Sequence, residues 1–313
     1  MTPTTGYRLN SLTWALLVLL GLIWGGSFFF ARVAVSHVPP LSLVFLRVSL
    51  AAVALHIYLR GRSGLYETLK SNWRQFLLLG LINNVIPHTM IFFGQTQIGA
   101  GLAAILNATT PIWTVLIANQ LTADEKMSAS KLAGCLLGLA GTVALIGPSA
   151  LSVASAPLWA VALPIGAAIS YGFASTYGKR FRGLPAPVTA TGQLTASTLV
   201  MLPLALAMDR PWQLAMPPQN VMLAILALAL VSTAFGYILF FRIMALAGAT
   251  NASLVTLLVP PSAILLGTLF LGERLQIVDM AGMVLIGAGL LVLDGRLIRI
   301  GSPAVPAPPR DVS

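Results

Sequence analysis

The sequence predicts an all-α integral membrane protein with ten transmembrane helices, arranged as two inverted five-helix repeats. Three observations predict this fold class: a composition that is 57% hydrophobic and only 8% charged, long uncharged segments, and similarity between the two halves of the sequence. Soluble globular domains are about one quarter charged. A chain with so few charges and a mean hydropathy of +0.89 is suited to a bilayer rather than to water.

The apolar segments, of which 41–59 contains Arg47 and 275–293 contains Asp279, are long enough for ten membrane-spanning helices. About 20 apolar residues cross the hydrocarbon core as a helix. The runs at 75–123 and 132–178 hold two helices each, because glycine- or proline-containing breaks divide them. One helix is predicted in each of the remaining apolar segments, which are 9–31, 41–59, 183–208, 211–241, 243–272 and 275–293.

The basic residues predict the orientation of the chain in the membrane. With the amino terminus in the cytoplasm, 14 of the 18 Lys and Arg residues lie on the cytoplasmic side, as the positive-inside rule requires. Both termini are therefore predicted to be cytoplasmic. The net charge of +10 reflects this excess of Lys and Arg on the cytoplasmic side. The sequence has no basic stripe with interleaved aromatic residues that would indicate nucleic-acid binding.

The second half of the sequence repeats the first at a nearly constant offset. GAGLAAILNATTP at 99–111 aligns with GATNASLVTLLVP at 248–260, which is 149 residues later. KLAGCLLGLAG at 131–141 aligns with DMAGMVLIGAG at 279–289, which is 148 residues later. Because five is an odd number of spans, the second half must enter the membrane from the opposite side. Inverted repeats of this kind are a common plan of secondary transporters.

The segment at 237–293 resembles the EamA domain of the drug/metabolite transporter superfamily. It has a small-residue turn before the ninth predicted helix, a mid-helix proline at Pro260, the pair Gly272–Glu273 and a glycine-rich last span. The first half is similar, with Pro111 at the matching position, but it has ADEK where the family usually has a Gly-Glu pair.

The resemblance covers nearly the whole chain and implies a first EamA repeat at 12–147 and a second at 157–295. Within the superfamily, the sequence is most similar to YddG-type exporters of aromatic and other amino acids. This similarity implies export of amino acids across the bacterial inner membrane by alternating access, with another small metabolite or a drug as the alternative substrate. The proline-rich segment at 296–313 is predicted to be a disordered cytoplasmic tail.

Polar residues inside two apolar helices are the first candidates for a substrate site. The offset of 149 relates three polar residues of the third predicted helix to three of the eighth: Asn83, Asn84 and His88 to Ser232, Thr233 and Tyr237. Asn84 and His88 are four residues apart and so are expected to share a helical face. Intramembrane polar groups usually face a cavity, but they also bridge helices. We predict that the six residues form a polar cavity lining, with helix bridging as the alternative.

Other residues are predicted to complete the site or to let it move. Asn107 is a further substrate-binding candidate, with hydrogen bonding to carbonyls freed by proline as the alternative. The aromatic residues Trp24, Trp113 and Tyr171 are also candidates, with packing or anchoring at the membrane interface as the alternative. The hinge candidates are Pro111, Pro260 and Pro261. Proline breaks at matching positions of two repeats indicate where a transporter bends, although static kinks that serve packing are the alternative. Arg47 is expected to extend toward the outer interface or to bond carbonyls at the helix end, with binding of a substrate carboxylate as the alternative.

The sequence does not predict an enzyme. All eight acidic residues fall in predicted loops or at helix ends, and the three histidines are scattered, so no metal site or cofactor is expected. Without a GxxxxGK[ST] loop, the chain is not expected to hydrolyse ATP. Transport is predicted to be facilitative, with proton coupling through His88 as the alternative. The expected partners are a small-molecule substrate and membrane lipid, with the protein itself a monomer or a homodimer.

Overall fold

Helices are the only regular elements in the residues that the computed structural model describes, which are 10–150, 156–271 and 277–293. Two predicted features, the pair Gly272–Glu273 and the tail at 296–313, lie outside these residues. The described helices are numbered α1 to α14 in chain order.

The first half of the chain contains eight of the described helices. They are α1 (Ser11–Val35), α2 (Pro40–Tyr58), α3 (Leu65–Ser71), α4 (Trp73–Gly80), α5 (Ile86–Gln95), α6 (Ala100–Asn107), α7 (Thr110–Leu121) and α8 (Ala129–Ala150). The sequence explains how α1 and α2 begin. The Asn10 side chain accepts a hydrogen bond from the Thr13 amide, 2.8 Å away, as a typical N-cap does. Pro40, whose missing N–H costs nothing in a first turn, begins α2.

The second half contains the other described helices. They are α9 (Leu158–Gly178), α10 (Ala186–Leu204), α11 (Gln219–Ala227), α12 (Gly236–Ser253), α13 (Val255–Leu271) and α14 (Ile277–Leu293). Short segments of other helical types complete the described structure: π-helix at Leu81–Val85, Ala205–Asp209 and Leu228–Phe235, and 3₁₀-helix at Lys179–Phe181 and Pro211–Gln213.

Seven helical segments of the described residues are long and apolar enough to cross a membrane. They are Ser11–Val35, Pro40–Tyr58, Trp73–Gln95, Ala100–Leu121, Leu158–Phe181, Ala186–Asp209 and Gln219–Ser253. Two shorter apolar helices lie at Ala129–Ala144 and Met280–Leu293. The all-helical membrane architecture is therefore confirmed, whereas the number of ten spans stays a prediction.

Two π-helical segments occupy matching positions in the two halves. The segment Leu81–Val85 joins α4 to α5, and the segment Leu228–Phe235, which contains the repeat-related positions, joins α11 to α12. Pro87 helps to explain the first, because it has no N–H to donate to the Asn83 carbonyl four residues earlier. The Ile86 amide instead bonds to the carbonyl of Leu81, five residues back. π-turns of this kind are frequent at functional sites.

Helices of one half pack mainly against helices of the other half. α8 packs against α14, α1 against α13, α2 against α10, and both α5 and α7 against α9. Glycines bring α8 and α14 into backbone contact: a Cβ atom on Gly134 would lie 2.7 Å from the Gly289 carbonyl oxygen. One on Gly141 would lie 2.8 Å from the Gly282 carbonyl oxygen. The core therefore lies between the two halves.

Candidate functional site

A cavity lies between the two halves, and residues from both line it. Cavities lined mainly by apolar and aromatic residues with a few polar groups are typical of small-molecule sites. The lining includes six of the ten residues predicted to bind substrate: Trp24, Asn83, His88, Asn107, Tyr171 and Tyr237. Helices α1, α5, α6, α9 and α12 and the first π-helical segment supply them.

Arg47 of α2 also lines this cavity. Its Nε atom donates a hydrogen bond to the hydroxyl oxygen of Thr233, 2.7 Å away. The Thr233 hydroxyl in turn donates to the carbonyl of Leu228, also 2.7 Å away. The guanidinium carbon lies 5.8 Å from the centre of the Phe92 ring, which adds a cation–π attraction. The expectation that Arg47 extends to the membrane interface is therefore wrong: the residue is only 8% exposed and is held inside the bundle.

The positive charge of Arg47 has no carboxylate partner among the described side chains. The ion pairs of the described residues join Asp124 and Glu125 to Lys179 and Arg182, and the cavity lining contains no acidic residue. A buried charge is costly unless it is paired and hydrogen-bonded. The cavity therefore presents a cation that an anionic group of a ligand can pair with.

One backbone carbonyl in each of the two π-helical segments accepts a hydrogen bond from an aromatic side chain of the cavity. The Tyr237 hydroxyl donates to the Asn83 carbonyl, 3.0 Å away, which is the carbonyl that Pro87 leaves free. The Trp24 indole N–H donates to the Ser232 carbonyl, 2.9 Å away. The rings of Trp24 and Tyr237 meet edge to face, with centres 6.2 Å apart. These hydrogen bonds hold two aromatic rings in fixed positions at the cavity.

His88 lies among aromatic rings at the cavity and is 2% exposed. Its ring centre is 6.2 Å from that of Phe92 and 6.4 Å from that of Tyr171. Its Nδ1 atom has no hydrogen-bond partner among the described residues, and the same is true of Gln95 Oε1 and Asn107 Oδ1. These three polar atoms lie beside one cavity, where a polar ligand can form hydrogen bonds with them.

Four of the predicted substrate-binding residues lie outside the lining. The Asn84 amide donates to the hydroxyl of Ser197, 3.0 Å away, so Asn84 bridges helices. The Thr233 hydroxyl accepts the hydrogen bond from Arg47, and the Ser232 backbone carbonyl accepts the hydrogen bond from Trp24. The indole N–H of Trp113 donates to the Thr109 hydroxyl, 3.3 Å away, within its own helix region.

The π-helical segments explain why Asn84 and His88 do not face the cavity together. The expectation of a shared face assumes 3.6 residues per turn, whereas a π-turn closes its hydrogen bond over five residues. Asn83 and His88 are five residues apart, and both line the cavity. Because of this change of helical type, Asn83 rather than Asn84 faces the cavity.

The prolines predicted to be hinges occupy two different local structures. Pro111 lies in the first turn of α7, after a break at Ala108 and Thr109 that separates α7 from α6. The Thr110 hydroxyl donates to the Asn107 carbonyl, 2.6 Å away, which Pro111 cannot do. Pro260 and Pro261 lie inside the continuous helix α13. Their role as hinges stays a prediction.

Further polar residues, not predicted from the sequence as substrate-binding candidates, also line the cavity. Among them are Ser27, Arg47, Gln95, Thr110, Ser175 and Ser253. Arg47 and Gln95 carried a usable signal, because a charged or amide side chain inside an apolar span is a functional candidate by default. The serine and threonine residues carried no such signal, since short hydroxyl side chains also satisfy their own helix backbone.

Comparison with known proteins identifies related sequences along both halves of the chain. The model of the EamA-like transporter family matches residues 12–147 and 158–293. An uncharacterised inner membrane transporter of Escherichia coli K12, YedA, is 29% identical over 299 residues, which are 94% of this chain and 92% of that protein. An uncharacterised transporter of Bacillus subtilis, YoaV, is 24% identical over 88% of this chain and 94% of that protein.

One further relative carries a more specific name, and one solved structure shares the fold. A protein of Streptantibioticus cattleyicolor named as a probable terminal-alkyne amino-acid exporter is 26% identical over 93% of this chain and 96% of its own length. A crystal structure with 21% sequence identity superposes with a TM-score of 0.74 and covers 94% of this chain and all of that one.

Proposed function

Because this chain belongs to the EamA-like transporter family, we propose that it exports amino acids, aromatic ones among them, across the bacterial inner membrane by alternating access. In this proposal ten helices form two inverted repeats, and the cavity between the halves is the substrate site. Both termini face the cytoplasm, and the chain carries out no catalysis. The observation that carries the proposal is the buried Arg47 at the cavity, without a carboxylate partner among the described residues.

The α-carboxylate of an amino acid is a suitable partner for Arg47. Arginine presents several N–H donors in a planar fork that matches a carboxylate. One of these donors, Nε, is already bonded to Thr233, which orients the fork and leaves the terminal nitrogens for a ligand. An anion that pairs with a desolvated guanidinium recovers energy that burial of the charge has cost.

The surroundings of Arg47 also suit the other parts of an amino acid. The unpartnered oxygens of Gln95 and Asn107 are acceptors, and an α-ammonium group is a donor with three hydrogens. The rings of Trp24, Tyr171 and Tyr237 give the cavity an aromatic wall, which favours an apolar or aromatic side chain. The name of the Streptantibioticus cattleyicolor relative supports the same substrate class.

The repeat architecture supports alternating access as the mechanism. The most extensively packed helix pairs join one half to the other, and residues of both halves line the cavity. In transporters built from inverted repeats, the substrate site lies between the repeats, and one repeat moves against the other to open each side in turn.

We propose that this transport is facilitative. The described lining contains no acidic residue, so the carboxylate relays that many proton-coupled transporters use have no candidate there. Proton coupling through His88 is the alternative, because an imidazole ring can take up and release a proton. Another small anionic metabolite is the alternative substrate, whereas a cationic drug would be repelled by Arg47.

The proposal is tested by transport into proteoliposomes that contain the purified protein. We expect saturable counterflow of one or more amino acids, at rates that a transmembrane pH gradient leaves unchanged. His88→Gln should reduce the rate while the protein remains folded. A pH gradient that drives accumulation would support the proton-coupled alternative. The absence of counterflow for every amino acid would refute the substrate assignment.

A further inference from the structure

A cluster of charged residues lies at one end of the bundle, where three segments meet. Asp124 and Glu125 belong to the loop between α7 and α8, and Lys179 and Arg182 follow α9. The Lys179 ammonium contacts both carboxylates, with Nζ 3.1 Å from Glu125 Oε1. Arg182 lies 3.7 Å from Asp124 and 3.6 Å from Glu125. These contacts join a loop of the first half to a helix end of the second half.

Glu125 also binds a helix N-terminus inside α12. Gly248 has φ 85° and ψ 173°, which are accessible to glycine and break the helix at that position. The break frees the amides of Ala249 and Thr250, which donate to Glu125 at 3.0 and 2.8 Å. The Thr250 hydroxyl adds a third hydrogen bond, of 2.6 Å. A carboxylate at a helix N-terminus is favoured by the freed amides and by the helix dipole.

Glu125 and Asp124 differ in burial and in the number of hydrogen bonds that they accept. Glu125 is 4% exposed, whereas the side chain of Asp124 is 43% exposed. Surface ion pairs contribute little, but a buried carboxylate with three hydrogen bonds and a cationic partner is costly to remove. Glu125 is therefore the residue on which the contact between the three segments depends.

The charged cluster lies about one helical turn beyond the cavity on two helices. On α9, Tyr171 and Ser175 line the cavity, and Lys179 follows four residues later on the same helical face. In the chain after Gly248, Ser253 lines the cavity, and Thr250 precedes it by three residues. A substrate that left the cavity toward this end would have to pass the residues that Glu125 holds together.

We propose that Glu125 is a gating residue, which closes the end of the cavity at the loop 122–128 in the conformation described here. Opening toward that side requires the loop of the first half to separate from Lys179 and from the amides of Ala249 and Thr250. This inference rests on the proposed alternating-access function, because a gate has a role only if the cavity opens to each side in turn.

The test measures the accessibility of the cavity from each side of the membrane. The single cysteine of the sequence, Cys135, is replaced by Ala, and Ser175→Cys places a thiol in the cavity lining. A membrane-impermeant maleimide is then applied to membrane vesicles of either orientation. With Glu125→Gln, we expect labelling from the side of the loop 122–128 to increase about tenfold, the effect of losing a charged hydrogen bond. Labelling from the other side should fall or stay unchanged.

Two variants separate gating from a general structural role. Asp124→Asn removes the neighbouring, more exposed carboxylate and should change labelling much less. If Glu125→Gln does not fold, Lys179→Gln weakens the same contact, leaves the hydrogen bonds from Ala249 and Thr250 in place, and should also increase labelling from the loop side. Unchanged labelling, or an equal increase from both sides, would overturn the proposal.

The outcome is independent of the substrate assignment. One-sided labelling in Glu125→Gln, together with a wild-type protein that transports no amino acid, would support the gate and refute the proposed substrate. Amino-acid counterflow in the wild type, with labelling that neither variant alters, would support the transport function and refute the gate.

Discussion

Arg47 and Thr233 join the two halves of the chain at the cavity, through a 2.7 Å hydrogen bond from the guanidinium Nε atom to the threonine hydroxyl. Both residues are buried. Thr233 lies in the π-helical segment Leu228–Phe235 and donates its own hydrogen to the Leu228 carbonyl. The hydroxyl is thus oriented with its oxygen lone pairs available to the arginine. This contact sets the direction in which Arg47 presents its remaining donors.

Removal of the Thr233 hydroxyl should impair substrate binding without unfolding the protein. Thr233→Val keeps the shape of the side chain but leaves Arg47 Nε without its acceptor, at a cost of about 1–3 kcal/mol. We expect the apparent affinity for a transported amino acid to fall about tenfold in proteoliposome counterflow. Thr233→Ser, which retains a hydroxyl, should remain close to the wild type. Equal affinities in all three proteins would show that Thr233 does not position Arg47.

The hydrogen bond from Tyr237 to the Asn83 carbonyl should contribute most to stability when residue 87 is proline. Tyr237→Phe removes the donor, and about 1 kcal/mol of stability should be lost. Pro87→Ala supplies a backbone N–H that can reach the Asn83 carbonyl. In the Pro87→Ala background, the cost of Tyr237→Phe should therefore be smaller. A double-mutant cycle of thermal unfolding in detergent measures this difference, and additive effects would contradict the explanation.

The stability of the protein should decrease in acid because of Glu125. Burial raises the pKa of Glu125, but hydrogen bonds from Thr250 and Ala249 and the charge of Lys179 outweigh burial and leave the pKa below its ordinary value. A carboxylate with a lowered folded pKa stabilises fully above its unfolded pKa, and the contribution is lost as the pH falls through the folded pKa. The unfolding temperature should thus be constant from pH 7 to about pH 5 and fall below about pH 4.

Variants at positions 124 and 125 test this assignment. Glu125→Gln should be less stable at pH 7 and should lose less stability on acidification than the wild type. Asp124→Asn should retain most of the acid dependence, since Asp124 is far more exposed. If Glu125→Gln keeps the acid dependence of the wild type, other groups must cause it.

In α14, a methyl group should be tolerated at Gly287 but not at Gly289, which lies at the contact with α8. A Cβ atom on Gly289 would lie 2.6 Å from the Gly138 amide nitrogen and 2.7 Å from the Gly134 carbonyl oxygen. Overpacking of this kind costs about 1–3 kcal/mol. A Cβ atom on Gly287, in the same helix, would meet nothing within 4 Å. Gly289→Ala should therefore lower the unfolding temperature in detergent, and Gly287→Ala should leave it unchanged or raise it.

The membrane architecture was predictable because it depends on features that are local in sequence. Long apolar runs specify helices wherever the solvent is lipid, and the spacing of similar segments reveals the two halves. The division of these runs into shorter helices was less predictable. The break before α7 and the π-helical segment before Pro87 depend on which carbonyls find another donor, such as the hydroxyl of Thr110 or Tyr237.

The site was partly predictable, because some of its features are also local in sequence. The polar residues inside apolar helices were visible in the sequence, and Asn83, His88 and Tyr237 do line the cavity. The direction of each side chain depended on the helical type, so Asn84 binds Ser197 instead. Arg47 was assigned to the interface because its position near a helix start favours that role. Only the structure shows Thr233, 186 residues later in the chain, beside it.

The most direct test of the central claim compares a transported amino acid with the amine that lacks its carboxylate. In proteoliposome counterflow, the amino acid should compete with labelled substrate, and its decarboxylated amine should not. Arg47→Gln should abolish saturable counterflow of the amino acid, whereas Arg242→Gln, at an exposed arginine of α12 outside the cavity lining, should not. Equal competition by the amine, or wild-type counterflow in Arg47→Gln, would contradict the claim that Arg47 binds the substrate carboxylate.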